Sequence, residues 1–368
     1  MKIAMIGHKR VPTREGGVEI VVEELSERLN KMGHEVHIYN RKGDKDSGYS
    51  RNKEILVKNG IKIKEIFTFS NRSLNAIVYT MLATICSLFG KYDVIHFHAE
   101  GPCSMIWLPH LFRIRTVATI HGLDWQRSKW GGFASKYIKF GEKMAVKYAD
   151  EIIVLSKNMQ KYFEDEYSRT TNFIPNGVNI PEIVPAKLIK DKWSLTKDSY
   201  ILFLARLVPE KGLHYLIDAY KQIDTDKKLV IAGGSSHTDE YVEQIKDSIK
   251  DDKRIIMTGF VQGKELEELF SNCFLYCLPS DVEGMPISLL EALSYKKTCL
   301  VSDIKENKEV IKKAGYTFKK GNSDSLRIRL KEILKDNKKI DPNRIDNILQ
   351  IHDWDNIVLE TYKLYKKK

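Results

Sequence analysis

Glu283 and Glu291 bracket the run Glu283-Gly284-Met285-Pro286-Ile287-Ser288-Leu289-Leu290-Glu291, which follows a strand-like segment and reads as a helix opening at Met285. Pro suits a first helical turn because its missing N–H would have no partner there. Eight residues at helical rise span about 12 Å, near the distance from the sugar to the ribose of an extended nucleotide sugar. Free N–H groups between the two carboxylates favour phosphate, so the run suits hydroxyl recognition on either side of a diphosphate.

A second cluster, Ala205-Arg206-Leu207-Val208-Pro209-Glu210-Lys211-Gly212, places a forked donor, Arg206, and a point charge, Lys211, where both can clamp a diphosphate. Cations at a helix start oppose the helix dipole unless an anion joins them. Gly16-Gly17, ahead of the first long helix, lets a phosphate approach backbone N–H groups, although a plain strand-to-helix turn has the same composition. His121, Gly122 and Asp124 close another strand. Trp125, Arg127 and Lys129 follow, able to stack on and steer a phosphate-bearing acceptor, with a surface loop around one buried Trp as the plainer alternative. His96 and His98 read as structural histidines. The Asp-x-Asp triplets Asp44/Asp46, Asp224/Asp226 and Asp353/Asp355 do not follow strands, and Cys273/Cys277 lack a matching His cluster, so neither metal nor cofactor is expected.

These residues need two sheets to hold them. Strand Ile3–Ile6, helix Val18–Met32 with Gly33 as its stop, and strand Val36–Tyr39 open the chain; further strands are expected at Val94–Phe97, Thr116–Ile120 and Glu151–Leu155. A Pro- and Lys-containing stretch, 181–198, reads as a linker. The alternation then restarts, with strands Tyr200–Leu204, Leu229–Ala232, Ile255–Thr258, Phe274–Leu278 and Thr298–Val301 and helices Leu213–Gln222 and Met285–Leu293. The expected class is α/β, two Rossmann-like doubly wound domains (1–180 and 199–350) facing a central cleft. A closing helix in 351–368 is expected to pack back toward the first domain.

The 368 residues suffice for two cores, and 42% hydrophobic residues with only 22 Gly and 10 Pro exclude disorder and collagen-like repeats. Five scattered Cys argue against a disulfide framework and for a reducing, cytoplasmic setting. MKIAMIGHKR reads as a strand rather than a secretory signal. Leu74–Phe89 falls short of the ~20 apolar residues of a spanning helix, leaving a core helix or one seated on a membrane surface. The net charge is +11, with 27 Lys+Arg against 19 Asp+Glu in residues 1–180 and 33 against 30 in residues 181–368. The basic first half is therefore expected to meet something anionic: nucleic acid, a membrane face or a phosphate-bearing substrate. Dispersed Lys residues and the lack of a recognised motif make nucleic acid the least favoured partner.

With these blocks in this order, the chain resembles the retaining glycosyltransferases of family 4, which have the GT-B fold. The resemblance rests on the EX7E pair Glu283/Glu291, on Arg206 and Lys211 in ARLVPEKG, on Pro175-Asn176-Gly177-Val178 and on Gly16-Gly17, and it covers essentially the whole chain. Tyr92–Pro102 with His121–Gly131 looks like a bacterial subgroup that builds surface polysaccharides. The resemblance implies that the first domain binds acceptor and the second binds donor. It assigns donor-sugar hydroxyls to Glu283, ribose hydroxyls to Glu291 and the departing diphosphate to Arg206 and Lys211. The N–H groups of Gly284, Met285 and Ile287 and the Gly16/Gly17 loop would assist, Phe260 and Val261 would hold the base, and His121 would touch the donor sugar near its reacting centre. Asp124, Trp125, Arg127, Lys129 and Glu100 are the acceptor-side candidates.

The expected function is transfer of a hexose from a UDP-, GDP- or dTDP-sugar to a saccharide or lipid-diphosphate-linked acceptor, with retention and without metal, in capsule, exopolysaccharide or surface-glycan synthesis. Peripheral contact with the anionic inner face of the plasma membrane goes with such an acceptor. A nucleotide-sugar epimerase on the same fold and a basic nucleic-acid-binding protein are the alternatives.

Overall fold

A computed structural model describes residues 1–42, 56–58, 60–69, 72–126, 131–235, 238–336 and 340–367. The chain divides into two compact units, Met1–Asn176 with Trp354–Lys368, and Gly177–Asp353.

The first unit carries strands β1 (Lys2–Ile6), β2 (Glu35–Arg41), β3 (Leu56–Lys58), β4 (Ile61–Ile66), β5 (Val94–His98), β6 (Arg115–Ile120), β7 (Glu151–Val154) and β8 (Asn172–Phe173). Its helices are α1 (Gly17–Lys31), α2 (Arg72–Leu88), α3 (Trp107–Leu111), α4 (Gly132–Tyr148) and α5 (Lys157–Tyr167). The sheet order is β3-β4-β2-β1-β5-β6-β7-β8, parallel throughout except the β3–β4 pair. The central strands are continuous apolar runs because helices cover both faces of a parallel sheet. One core layer joins Ile6, Phe97 and Ile120 of the sheet to Tyr79 of α2, Ala145 of α4 and Phe163 of α5.

The second unit contains β9 (Tyr200–Leu204), β10 (Lys228–Ala232), β11 (Ile255–Gly259), β12 (Leu275–Leu278), β13 (Thr298–Ser302) and β14 (Tyr316–Phe318). Its helices are α6 (Leu188–Trp193), α7 (Leu213–Lys221), α8 (Asp239–Ile249), α9 (Lys264–Asn272), α10 (Ile287–Ser294), α11 (Lys305–Ile311), α12 (Ser323–Lys335) and α13 (Pro342–Leu349). The order β11-β10-β9-β12-β13-β14 is wholly parallel and reverses between β9 and β12. At such a reversal the loops leaving the two neighbouring strands diverge and open a crevice at their carboxyl ends. Arg206 and Lys211 follow β9, and Glu283 follows β12, so the topology brings the two motif loops together.

Two expectations change. The stretch 181–198 is not a free linker. The buried Glu268 of α9 accepts from the backbone N–H of Lys187 at 2.8 Å and of Ile189 at 3.1 Å, and Asn272 donates to the Val184 carbonyl at 3.0 Å. A polar, Pro-containing sequence can be fixed this way when a buried carboxylate caps its short helix. Strands β3, β4, β8 and β14 are additional to the expected set: β4 (IKIKEI) is a half-buried strand paired to β2, and β8 has only two residues.

The C-terminal helix α14 (Trp354–Lys366) belongs to the first unit. Arg28 of α1 donates to Asp355 at 2.9 Å, His34 stacks on Tyr362 at 4.5 Å, Arg115 donates to the Leu364 carbonyl at 2.9 Å, and the Tyr365 hydroxyl bonds His96 at 2.7 Å. No helix among the described residues is long and apolar enough to cross a membrane.

Gly7 leaves β1 at φ +119°, where an added Cβ would stand 2.1 Å from the His98 carbonyl oxygen. Gly7→Ala therefore combines a strained backbone with a clash in the first unit. It should destabilise that unit by about 3 kcal/mol; a chemical-unfolding midpoint equal to that of the parent chain would refute the assignment.

Candidate functional site

In the second unit, the Lys211 ammonium donates to Glu283 Oε1 at 2.5 Å, and the Ser280 hydroxyl donates to the same oxygen at 2.7 Å. The side chains are 13% and 5% exposed, so this is a nearly buried ion pair. Gly212 makes the approach possible: at φ +67°, a Cβ there would lie 2.1 Å from the Pro279 carbonyl oxygen. Ser280 is steadied in turn, because Ser302 donates to its carbonyl and Asn307 holds Ser302. Arg206 is half-buried and, among the described residues, makes no ion pair. A cation held at a sheet's carboxyl edge without a carboxylate is a ready partner for an anion.

Glu291 lies half-buried on α10. That helix starts at Ile287, two residues later than the sequence suggests, with Pro286 as its N-cap at φ −75°, ψ 105°. The physical reason is that a residue preceding Pro is pushed out of helical conformation, which keeps Met285 in a bend ahead of the helix. Glu283 sits in the loop ahead of the helix, as expected, but with the later start only part of the eight-residue span to Glu291 runs at helical rise. Gly284 and Met285 are buried, and the N–H of Ile287 lies in the first turn, where intrahelical partners are lacking.

Tyr276 of β12 is a residue that the sequence reading missed. Fully buried, it donates to the Leu204 carbonyl at 3.2 Å and bonds Ser288 at 2.8 Å, joining the end of β9 to the first turn of α10. Burial holds its hydroxyl well above the usual phenol range, and the charges of Glu283 and Glu291 add to this, so both carboxylates act on one phenol. Phe260 is 48% exposed just after β11, whereas the adjacent Val261 is buried.

In the first unit, Gly16 is the extended N-cap of α1 and Gly17 is its first residue. The buried Glu19 occupies the same turn: one carboxylate oxygen accepts from the Lys9 N–H at 2.9 Å, and the other is 2.3 Å from where a Gly16 Cβ would stand. A phosphate meeting this helix start would share it with a carboxylate.

His121 follows β6 and is half-buried, with its Nε2 3.1 Å from His98 Nδ1. The His98 ring lies 4.2 Å from that of His96, whose nitrogens bond Tyr365 at 2.7 Å and Thr119 at 2.7 Å. Burial lowers His96 to about 3 and drives His98 well below the usual histidine range, so both stay neutral. His96 fits its structural reading. His98 is a second residue whose place the sequence reading missed, and strand parity was the available signal. His98 pairs in register with Thr119, and His121, two residues on, continues the same face.

Glu100, expected to touch an acceptor, is fully buried and its carboxyl is already engaged. One oxygen accepts from the Asp124 N–H at 2.8 Å, and the carboxyl also hydrogen-bonds Glu142. Glu142 gathers the Trp125 indole N–H at 3.1 Å, the Lys139 ammonium at 2.8 Å, and the hydroxyls of Tyr162 and Tyr167. Trp125 is half-buried, with Lys139 4.6 Å above its ring, so its indole is already partnered within the unit. Arg127, Lys129 and the triplet Asp44/Asp46 lie outside the described residues. No group of three or more metal-ligating side chains is close enough to hold an ion among the described residues. Cys273 and Cys277 are free and buried.

Two family models match this chain: "Glycosyl transferases group 1" over residues 186–348 and "Glycosyltransferase Family 4" over residues 15–181. Together they span both units. The chain is a family 4-type glycosyltransferase. An uncharacterised glycosyltransferase of Methanocaldococcus jannaschii is 28% identical over 100% of this chain and 98% of its own. A UDP-Gal:alpha-D-GlcNAc-diphosphoundecaprenol alpha-1,3-galactosyltransferase of Escherichia coli is 26% identical over 64% of this chain and 65% of its own. The Anabaena protein HepE, solved in complex with UDP and glucose, superposes with a TM-score of 0.80 at 18% identity, covering 99% of this chain and 98% of that one. The glycosyltransferase therefore has the GT-B fold, two Rossmann-like halves with parallel sheets. Nothing favours the epimerase alternative.

Burial is the largest influence on Glu100 and raises its carboxyl well above the usual range, while Glu142, held by its donors, lies below it; the pair shares one proton. The sign follows from linkage: stability from the Glu100 proton is complete below the ordinary carboxylate range and declines as pH rises toward the raised value. Glu100→Gln, whose amide also donates, should flatten this decline in thermal unfolding. Glu142→Gln leaves half-buried Lys139 short of its charge partner and should cost about 2 kcal/mol. Equal pH profiles for parent and Glu100→Gln would contradict the shared proton.

Proposed function

We propose that this glycosyltransferase moves a hexose from a nucleotide-diphosphate sugar to a hydroxyl of a saccharide or lipid-diphosphate-linked acceptor, with retention of configuration. The observation carrying this reading is the pairing of Lys211 with Glu283 at the strand reversal of the second sheet, in a loop that also carries Arg206, a half-buried cation with no carboxylate partner among the described residues. An incoming diphosphate would take Arg206 directly and draw Lys211 partly off Glu283, freeing that carboxylate to accept from sugar hydroxyls. Glu291 would bind the ribose, Phe260 and Val261 the base, and the N–H groups of Gly284, Met285 and Ile287 the phosphates.

The anomeric carbon–oxygen bond to the phosphate breaks and the acceptor oxygen bonds the same carbon from the same face. The departing phosphate takes the acceptor's proton, so no enzyme nucleophile is needed. Electrostatic stabilisation of that leaving group is the main contribution asked of the protein. The two cations and the helix start supply the charge, so the reading requires no metal. In the first unit, His121, positioned by neutral His98, is the candidate for contact with a sugar hydroxyl. Support for a uridine nucleotide comes from HepE, solved with UDP and glucose, and from the Escherichia coli relative, whose name also places a diphosphoundecaprenol-linked sugar as acceptor. That acceptor class suits surface-glycan synthesis, with Asp124 and Trp125 on the acceptor side.

Glu283→Gln keeps the shape of the buried pair and removes its charge. It should lower kcat/KM by about a hundredfold or more, while its stability loss stays smaller than that of Glu283→Ala, which also removes the oxygen that accepts from Lys211 and Ser280. Transfer by Glu283→Gln at the parental rate would sink the assignment. A thermal-shift series across nucleotide sugars identifies the donor, because the true donor should raise the midpoint by mass action.

A further inference from the structure

Helix α2 has no charged side chain between Ser73 and Gly90. A surface helix normally turns charged residues outward. Here Leu74, Met81 and Ile85, with Phe89 just beyond the helix, recur every four to seven residues along one stripe and are 48%, 40%, 38% and 83% exposed. The stripe is thus an uncovered apolar face rather than a core face. Helix α3 packs against α2 and against α4 on the same side of the first sheet, and at its end Leu111 and Phe112 are 64% and 63% exposed beside exposed Arg113.

Helix α4 decides what this face meets. Its outward positions, three and four residues apart, are Phe133, Lys136, Phe140, Lys143 and Lys147, all exposed. Its single acid, Glu142, points inward and is fully buried. Aromatic rings alternating with lysines, without an acid between them, match the interfacial layer of an anionic bilayer: rings enter the acyl boundary while lysine stems lie along it and lift their ammonium groups to lipid phosphates. A second copy of the same face would set these lysines against one another.

We infer that the outward face of α2, α3 and α4 is a membrane seat for an anionic leaflet, with Phe133 and Phe140 as the inserted rings and Lys136, Lys143 and Lys147 as the headgroup contacts. The seat stands on the surface alone and does not depend on the donor and acceptor reading.

The test is co-sedimentation of the full chain with phosphatidylglycerol-rich vesicles and with pure phosphatidylcholine vesicles, neither containing glycolipid. The chain should pellet with the anionic vesicles and be released as salt rises to about 0.5 M, where screening shortens to a few ångströms. Lys136→Gln, Lys143→Gln and Lys147→Gln together should weaken partitioning about a hundredfold, roughly fivefold for each charge. Phe133→Ser with Phe140→Ser should abolish it, while the unfolding midpoint and the donor-induced thermal shift stay parental. Parental partitioning of the Phe variant, or no binding to anionic vesicles, would overturn the seat. A concentration-dependent dimer that the Phe variant dissolves, without vesicle binding, would assign the face to a second copy and overturn it equally.

Discussion

A missing side chain fixes the chemistry of the second unit. Gly212 passes the Pro279 carbonyl so closely that one methyl group would stand 2.1 Å from the oxygen, and its backbone is left-handed besides. That contact joins the loop after β9 to the loop after β12 where the strand order reverses. Lys211, one residue before it, and Glu283, four residues beyond Pro279, then meet at 2.5 Å. A nearly buried ion pair gains little net stability against desolvation. Its value lies in holding a carboxylate and an ammonium in fixed orientation at the carboxyl edge of the sheet. Tyr276 secures the same arrangement from below by hydrogen-bonding the end of one strand and the start of the next helix.

The first unit solves a different problem, that of holding a polar loop beside a histidine without burying a net charge. His96 and His98 are kept neutral by burial, and the row they form runs from His121 to Tyr365 of the C-terminal helix. The loop after His121 hangs from two glutamates sharing one proton, Glu100 through the Asp124 N–H and Glu142 through the Trp125 indole. One negative charge remains, and Lys139 answers it. The chain's last helix thus helps set residues far earlier in the sequence.

Much of the fold was legible because parallel strands under two helical layers must be continuously apolar. Ile3–Ile6, Val94–Phe97 and Tyr200–Leu204 announce themselves that way. The motif loops were legible as well, since Gly-Gly before a helix, Arg and Lys after a strand, and two Glu around Gly and Pro each carry a stated chemistry. Less visible were IKIKEI of β4, whose alternation is that of a half-buried strand, and residues 181–198, whose polar composition resembles a tether until the buried Glu268 is seen capping them.

The sequence by itself determined two α/β halves, the carboxylates and cations available for a diphosphate sugar, and the family to which the chain belongs, because motif spacing and hydrophobic period are local properties. Tertiary structure alone decided which of those groups are paired. Glu283 is neutralised by Lys211 while Arg206 has no ion-pair partner among the described residues, Glu100 is buried against Glu142 rather than offered to an acceptor, and His98 joins His121. Pairing depends on which loops the strand order makes neighbours and on how deeply each charge is desolvated, and neither is written in any short stretch of chain.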